Sequence, residues 1–358
     1  MSLKDRLKAD IRAGGPMGID RFMATCLYDP ADGYYAARPA LGEGGDFITA
    51  PMVSQMFGEL IGAWAVAIWR GLGRPARLLL TEMGPGDGGL ISDVLRAARL
   101  DADFLAAAEV WLIEVSAPLA AAQQARLAGM TPEPRWAATL AELPKDAPLI
   151  LIANELLDCL PTRQFVRLDD GWAERVVGLD AAGELCFGLA PHAANAPELV
   201  ASAAAALGQI AEYSAAQGAL AADIAYRIVR QGGAALLIDY GDEAAVGDTL
   251  QALKAHRKQG PLEAPGDADL TVHADFRTVR AAAADEGATM AVVEQGDFLR
   301  RLGIQARAAA LSAARPDQAP VIARQLARLT GADQMGRLFK AACIYPPGPP
   351  PPGFEDHP

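Results

Sequence analysis

The spacing of apolar residues changes near residue 77. Before that point it is helical, in LKDRLKADI and again in the strongly apolar MVSQMFGELIGAWAVAIW, residues 52–69. Between these lies YDPADGYYAARPALGEGGDFITAP, residues 28–51, which is long for a passive connection and therefore predicts a functional loop. From Arg77 onward, short continuous apolar runs alternate with amphipathic stretches. RLLLTEMG, VWLIEV, APLILIANELLD and AALLIDYG predict strands, and GGLISDVLRAARL and SAPLAAAQQARLAG predict the first crossover helices. Strands without polar alternation are buried on both faces, so the pattern predicts an α/β fold around a parallel sheet. Further strands are expected in DLTVHADF and TMAVVEQG, with an alanine-rich helix between them.

Two segments break the rhythm. RQFVRLDDGWAERVVGLD has strand-like runs about an Asp-Gly turn and predicts a hairpin inserted after the NELLD strand. Residues 190–231 are alanine-rich and expected to be helical. The predicted organisation is a helical N-terminal region with a loop over 1–75, then a sheet domain over 76–345 carrying an insertion at about 163–231. A proline-rich end, 346–358, is expected to be extended or disordered.

Composition narrows the function. The net charge of −12 disfavours nucleic acid and anionic membranes as partners and suits a cationic substrate. No apolar stretch is long enough to span a bilayer. The four cysteines are dispersed and the four histidines show no ligand spacing, so no metal site is expected. The charge-alternating start is unlike a secretory or transit peptide, and the expected location is the bacterial cytoplasm.

The sharpest chemical signal is TEMGPGDGGLISDVL, residues 81–95. Gly84-Pro85-Gly86 and Gly88 lie between a strand and a helix, where glycine lets a ligand approach the backbone. Gly84-x-Gly86-x-x-Gly89 satisfies a dinucleotide pattern, and Glu82-x-Gly84-x-Gly86-x-Gly88 satisfies that of S-adenosylmethionine methyltransferases. Glu82 decides between them. A carboxylate there repels a pyrophosphate but binds the ammonium of the methionine moiety. Glu114, ending the second strand, suits the ribose hydroxyls of either ligand.

Asn154, Glu155 and Asp158 follow the NELLD strand, where the carboxyl ends of a parallel sheet meet their ligand. Asn154 is expected to cap a helix whose first turn holds the two acids, and capping is compatible with catalysis. Carboxylates there could align a guanidinium acceptor through paired hydrogen bonds. Glu212, expected at the start of a helix, is a further candidate. His273 beside Asp275 is the better placed of the central histidines for an acid–base role, and Asp239 and Tyr240 are as well suited to capping as to substrate contact.

Taken together, CLYDPADGYY, GDFITAPMVSQMFGELIGAW, EMGPGDGGLISDVL, LIEVSAPL, NELLDCLP, DLTVHADF, QGDFLRRLGI and MGRLFKAA resemble the MidA-like methyltransferases, bacterial and mitochondrial relatives of a respiratory complex I assembly factor. The resemblance runs in order over nearly the whole chain. It implies a Rossmann-like class I S-adenosylmethionine-methyltransferase sheet, with Glu82, Gly84, Pro85, Gly86, Gly88 and Glu114 at the cofactor and Asn154, Glu155 and Asp158 at the acceptor. It also implies symmetric dimethylation of an arginine on the 49-kDa-type core subunit of complex I, with GDFITAP closing over the site through Asp46, Thr49 and Gln55. Met52 and Cys159 stand where relatives more often carry an acid and a small residue. The competing expectations are an NAD-dependent oxidoreductase, a non-catalytic assembly chaperone and a small-molecule methyltransferase.

Overall fold

A computed structural model describes residues 1–37, 49–194, 205–243, 247–254 and 257–355. Strand β1 (Met17–Gly18) lies in the N-terminal region and is followed by β2 (Leu78–Met83), β3 (Ala108–Ile113), β4 (Arg135–Ala137) and β5 (Leu149–Asn154). The insertion holds β6 (Arg163–Leu168), β7 (Gly171–Leu179), β8 (Leu185–Ala194) and β9 (Ile210–Tyr213), after which β10 (Gly233–Asp242) returns to the main sheet. Next come β11 (Gln251–Lys254), β12 (Arg257–Gln259), β13 (Asp269–Thr271), β14 (Ala274–Asp275), β15 (Thr289–Glu294) and β16 (Phe339–Tyr345).

The main sheet has the order β15-β16-β10-β5-β2-β3-β4, with β14 beside the end of β10. The pairs β10–β5, β5–β2, β2–β3 and β3–β4 are all parallel. Successive residues of the apolar strands face opposite layers, which is why no polar alternation appears in them. Leu78 and Leu80 enter the core formed with the helices Gln55–Gly71 and Gly89–Ala98, alongside Phe57, Trp64, Ile91 and Val94. Leu79 enters the core beneath the helices Ala215–Gln231 and Phe276–Asp285, with Ile224, Ile228 and Val279. Each such side chain contributes about 2 kcal/mol by leaving water. The strand order reverses at β2, so a ligand crevice opens at the carboxyl ends of β2 and β5.

Several features differ from the sequence expectations. Strand β16 runs antiparallel between β10 and β15, because helices over 295–338 carry the chain back before it enters the sheet. Among the described residues of the expected helix over 190–231, helix is found at Ala215–Gln231. Its early part contains β9, which pairs antiparallel with β6, so cross-strand pairing outweighs the helix preference of alanine there. Glu212 accordingly sits on a strand. Its carboxylate accepts from Gln164 Nε2 at 2.7 Å and the Thr249 amide at 3.1 Å, bracing the insertion rather than facing the ligand crevice. The proline-rich end also packs down: Phe354 is buried, its ring 5.1 Å from that of Phe298.

The N-terminal helix Leu3–Gly14 begins with a Ser2/Asp5 capping box. It and the helix Ile19–Tyr28 share a core with β7 and β13 through Leu7, Phe22, Val177 and Leu270. β1 pairs with β7, Met17 opposite Val177. This unit stands beside the ligand crevice.

Candidate functional site

A cavity of about 1560 Å³ opens at the carboxyl ends of β2, β3 and β5. Its walls include Glu82, Gly84, Pro85, Gly86, Glu114, Asn154, Glu155 and Asp158, which brings nearly all of the sequence-derived site residues together. Gly88 lies just behind, as the left-handed N-cap of the helix Gly89–Ala98. His273 does not line the cavity. Its ring packs edge-on against Tyr240 at 5.6 Å, and Asp275 is occupied capping the helix Phe276–Asp285 through the Arg277 and Thr278 amides. Burial lowers the His273 pKa, and no His273–Asp275 acid–base pair forms. Of the loop residues, Thr49 lines the cavity, Gln55 is an exposed first residue of its helix, and Asp46 lies outside the described residues.

The glycine loop has the backbone that its sequence predicts. Gly84, Gly86 and Gly88 have φ of 65°, 54° and 80°, a region that side chains strain to enter. At Gly84 an added Cβ would meet Leu156 Cδ1 at 2.9 Å. Glu82, only 3% exposed, lies at the foot of the loop, and its Oε2 is buried without a partner. Burial pushes this carboxyl up to about 8, opposed by a hydrogen bond from the Ile91 amide. An orphaned buried acceptor next to an open glycine cradle fits the ammonium of a bound methionine moiety and opposes a pyrophosphate.

Glu114 is held from two sides. Its Oε1 accepts from the Ser116 amide at 2.7 Å and its Oε2 from Gln123 Nε2 at 3.0 Å. The same Gln123 nitrogen donates to the Gly86 carbonyl at 2.7 Å, and Gln123 Oε1 accepts from Trp136 Nε1 at 2.9 Å. This fully buried amide ties the glycine loop to the candidate ribose acid. It escaped the sequence reading, yet a signal exists. Leu119, Gln123 and Leu127 form the buried stripe of the helix Ala117–Leu127, and a polar residue amid apolar ones at that spacing calls for internal partners.

After β5 the expected helix does not form. Glu155 has φ of 53°, a left-handed conformation costing about 1 kcal/mol for a residue with a side chain. The next three amides, of Leu156, Leu157 and Asp158, all donate to Asp239 Oδ2, at 3.1, 2.8 and 3.2 Å. The cap is therefore supplied by the neighbouring strand β10 and not by Asn154, which resolves the two readings of Asp239 in favour of capping. Asn154 Nδ2 donates to Glu155 Oε1 at 3.1 Å, as does the Ala50 amide at 3.3 Å, leaving Asn154 Oδ1 buried without a partner. Burial, reinforced by Asp158, pushes Glu155 up to about 8. Burial likewise raises Asp158, and raises Asp239 with help from Asp158 and Glu155. Such a constellation is costly when empty and gains from a bound cation.

The sequence matches the family of S-adenosyl-L-methionine-dependent methyltransferases over residues 60–293. The protein arginine methyltransferase NDUFAF7 of Danio rerio is 33% identical, over 95% of this chain and 86% of its own length. Its Homo sapiens counterpart is 32% identical, over 94% and 81%. In structure, a protein from Burkholderia thailandensis bound to S-adenosyl-homocysteine superimposes with a TM-score of 0.84 at 28% identity, over 99% of this chain and 92% of that one. The chain belongs to the S-adenosyl-L-methionine-dependent methyltransferases.

Proposed function

We propose that this methyltransferase modifies an arginine side chain of a protein, the large 49-kDa-type core subunit of respiratory complex I, and yields symmetric dimethylarginine in support of complex assembly. The observation that carries the reading is the cluster Asn154, Glu155 and Asp158 in the same cavity as the glycine cradle. Relatives bearing the name protein arginine methyltransferase, aligned over nearly the full chain, support the arginine acceptor. We assign the reaction to the bacterial cytoplasm, in keeping with four cysteines that stand as free thiols.

Bound S-adenosylmethionine supplies an electrophilic methyl group on a sulfonium. Glu82 would hold the ammonium of the methionine moiety, Glu114 would accept the ribose hydroxyls, and Gly84, Pro85, Gly86 and Gly88 would border the cofactor through the backbone of their loop. Glu155 pairs with the acceptor guanidinium and orients one nitrogen for in-line attack. The arriving positive charge favours the ionised carboxyl, so Glu155 releases its proton as the acceptor binds. Asp158 lies beside it to take the proton that the methylated nitrogen sheds. His273, which does not line the cavity, has no part in this scheme.

Mass spectrometry of the 49-kDa-type subunit from cells with and without the gene tests the reading. Loss of a dimethylarginine in the deletion strain is the expected result. An unchanged subunit would overturn the complex I acceptor.

A further inference from the structure

The acceptor end of the cavity has a second wall, formed by Tyr28, Tyr35 and Asp269. The two tyrosine rings stack, with centroids 5.8 Å apart and planes inclined by 28°. Tyr28 is held by its hydroxyl, which donates to the Cys159 carbonyl at 2.9 Å. Tyr35 is held at both ends. Its hydroxyl donates to Asp269 Oδ1 at 3.2 Å, and its carbonyl accepts from Ser116 Oγ at 2.7 Å, next to the turn that carries Glu114. Asp269 opens β13, and the Val272 amide just past that strand donates to the Asp158 carbonyl at 2.9 Å. The post-β5 turn, β13 and the N-terminal tyrosines thus form one braced unit.

The chemistry of this end is one-sided. Once Glu155 is ionised, it, Asp158, Asp269 and the unpartnered Asn154 Oδ1 present hydrogen-bond acceptors. The cavity's arginines, Arg96 and Arg126, lie on the helices Gly89–Ala98 and Ala117–Leu127, paired with Asp93 and Asp87 at 2.8 Å each. A guanidinium offers five donors and no acceptor, and its flat face stacks well on aromatic rings.

We infer that Asp269, held by Tyr35, is a specificity-determining residue that binds the acceptor guanidinium, with the Tyr28–Tyr35 pair forming the flat side of its slot. This rests on the arginine reading above. It makes recognition depend on a planar, many-donor cation, and it links the acceptor wall to the ribose turn through Ser116.

The test uses the full chain saturated with S-adenosyl-homocysteine and titrated with methylguanidinium, followed by ligand-observed NMR. Asp269→Asn is expected to weaken methylguanidinium binding about tenfold, the loss of one charge-assisted hydrogen bond, with S-adenosyl-homocysteine affinity unchanged. Tyr35→Phe keeps the ring, removes only the hydroxyl that holds Asp269, and is expected to weaken the probe by a smaller factor. It serves if Asp269→Asn fails to fold. Asp269→Glu is expected to restore part of the affinity. Equal binding by wild type, Asp269→Asn and Tyr35→Phe would overturn the role of Asp269 and leave the arginine reading standing. No methylguanidinium binding by the wild type would take down the arginine reading and this inference together.

Discussion

Glu82 is a buried carboxyl and Glu155 a half-buried one, and the pKa of each is raised to about 8 in the free protein from an ordinary 4.5. An acid with a raised folded-state pKa holds its proton longer in the folded protein than in the unfolded one. Its folding penalty is absent below pH 4.5 and grows as pH rises toward 8. The ligand-free protein should therefore lose stability across this window. Glu82→Gln and Glu155→Gln should each be more stable than wild type at pH 8, on the order of 2–4 kcal/mol at most, and indistinguishable at pH 4. Denaturant unfolding at the two pH values checks this. The functional effects should separate: Glu82→Gln should lose about tenfold or more in S-adenosyl-homocysteine affinity, while Glu155→Gln keeps that affinity and loses on the order of 100-fold in turnover. A Glu155→Gln enzyme with full turnover would remove Glu155 from the chemistry.

The post-β5 turn is positioned by an element other than its own. Asp239 on β10 receives three successive amides, and through them it sets where Glu155 and Asp158 point. Asp239→Ala would leave those amides without their acceptor. A cost of about 3 kcal/mol and a loss of turnover are expected, with β2 and the glycine loop still binding S-adenosyl-homocysteine. Calorimetric binding beside a thermal melt would reveal it, and an unchanged melting temperature would contradict the assigned capping role. The helix Ala117–Leu127 acts similarly on the cofactor side, where Gln123 braces Glu114 and Gly86 at once. The element types here were legible from periodicity. The cap on the post-β5 turn was not, because its acceptor, Asp239, comes from another strand.

At the scale of the molecule, the N-terminal helices, the inserted strands and β13 share a core that the linear order of the chain conceals. Met17 faces Val177, 160 residues further on by the numbering, and Val177 is fully buried. Val177→Asp should place an unpaired charge in that core and loosen the N-terminal helices. Limited proteolysis is then expected to cut within residues 1–36 faster than in wild type, and turnover should fall because Tyr28 and Tyr35 lose their support. Equal proteolysis rates would show that the N-terminal unit stands without β7. Among the described residues no helix is long and apolar enough to cross a membrane.

Local chemistry accounts for what could be read without a structure. The parallel sheet follows from unbroken apolar runs, the glycine cradle from residues free to adopt positive φ, and the cofactor choice from a carboxylate at Glu82 that a pyrophosphate could not tolerate. These depend on the residue and its immediate neighbours. The strand at β9, the antiparallel β16, the buried Phe354, the cap from Asp239, the brace from Gln123 and the tyrosine wall around Asp269 required the fold. In each case the deciding partner lies on another element, and pairing or burial there outweighs the local preference. His273 makes the same point in reverse. Its neighbour in sequence, Asp275, is committed to a helix terminus, and the ring it does meet belongs to Tyr240 on β10.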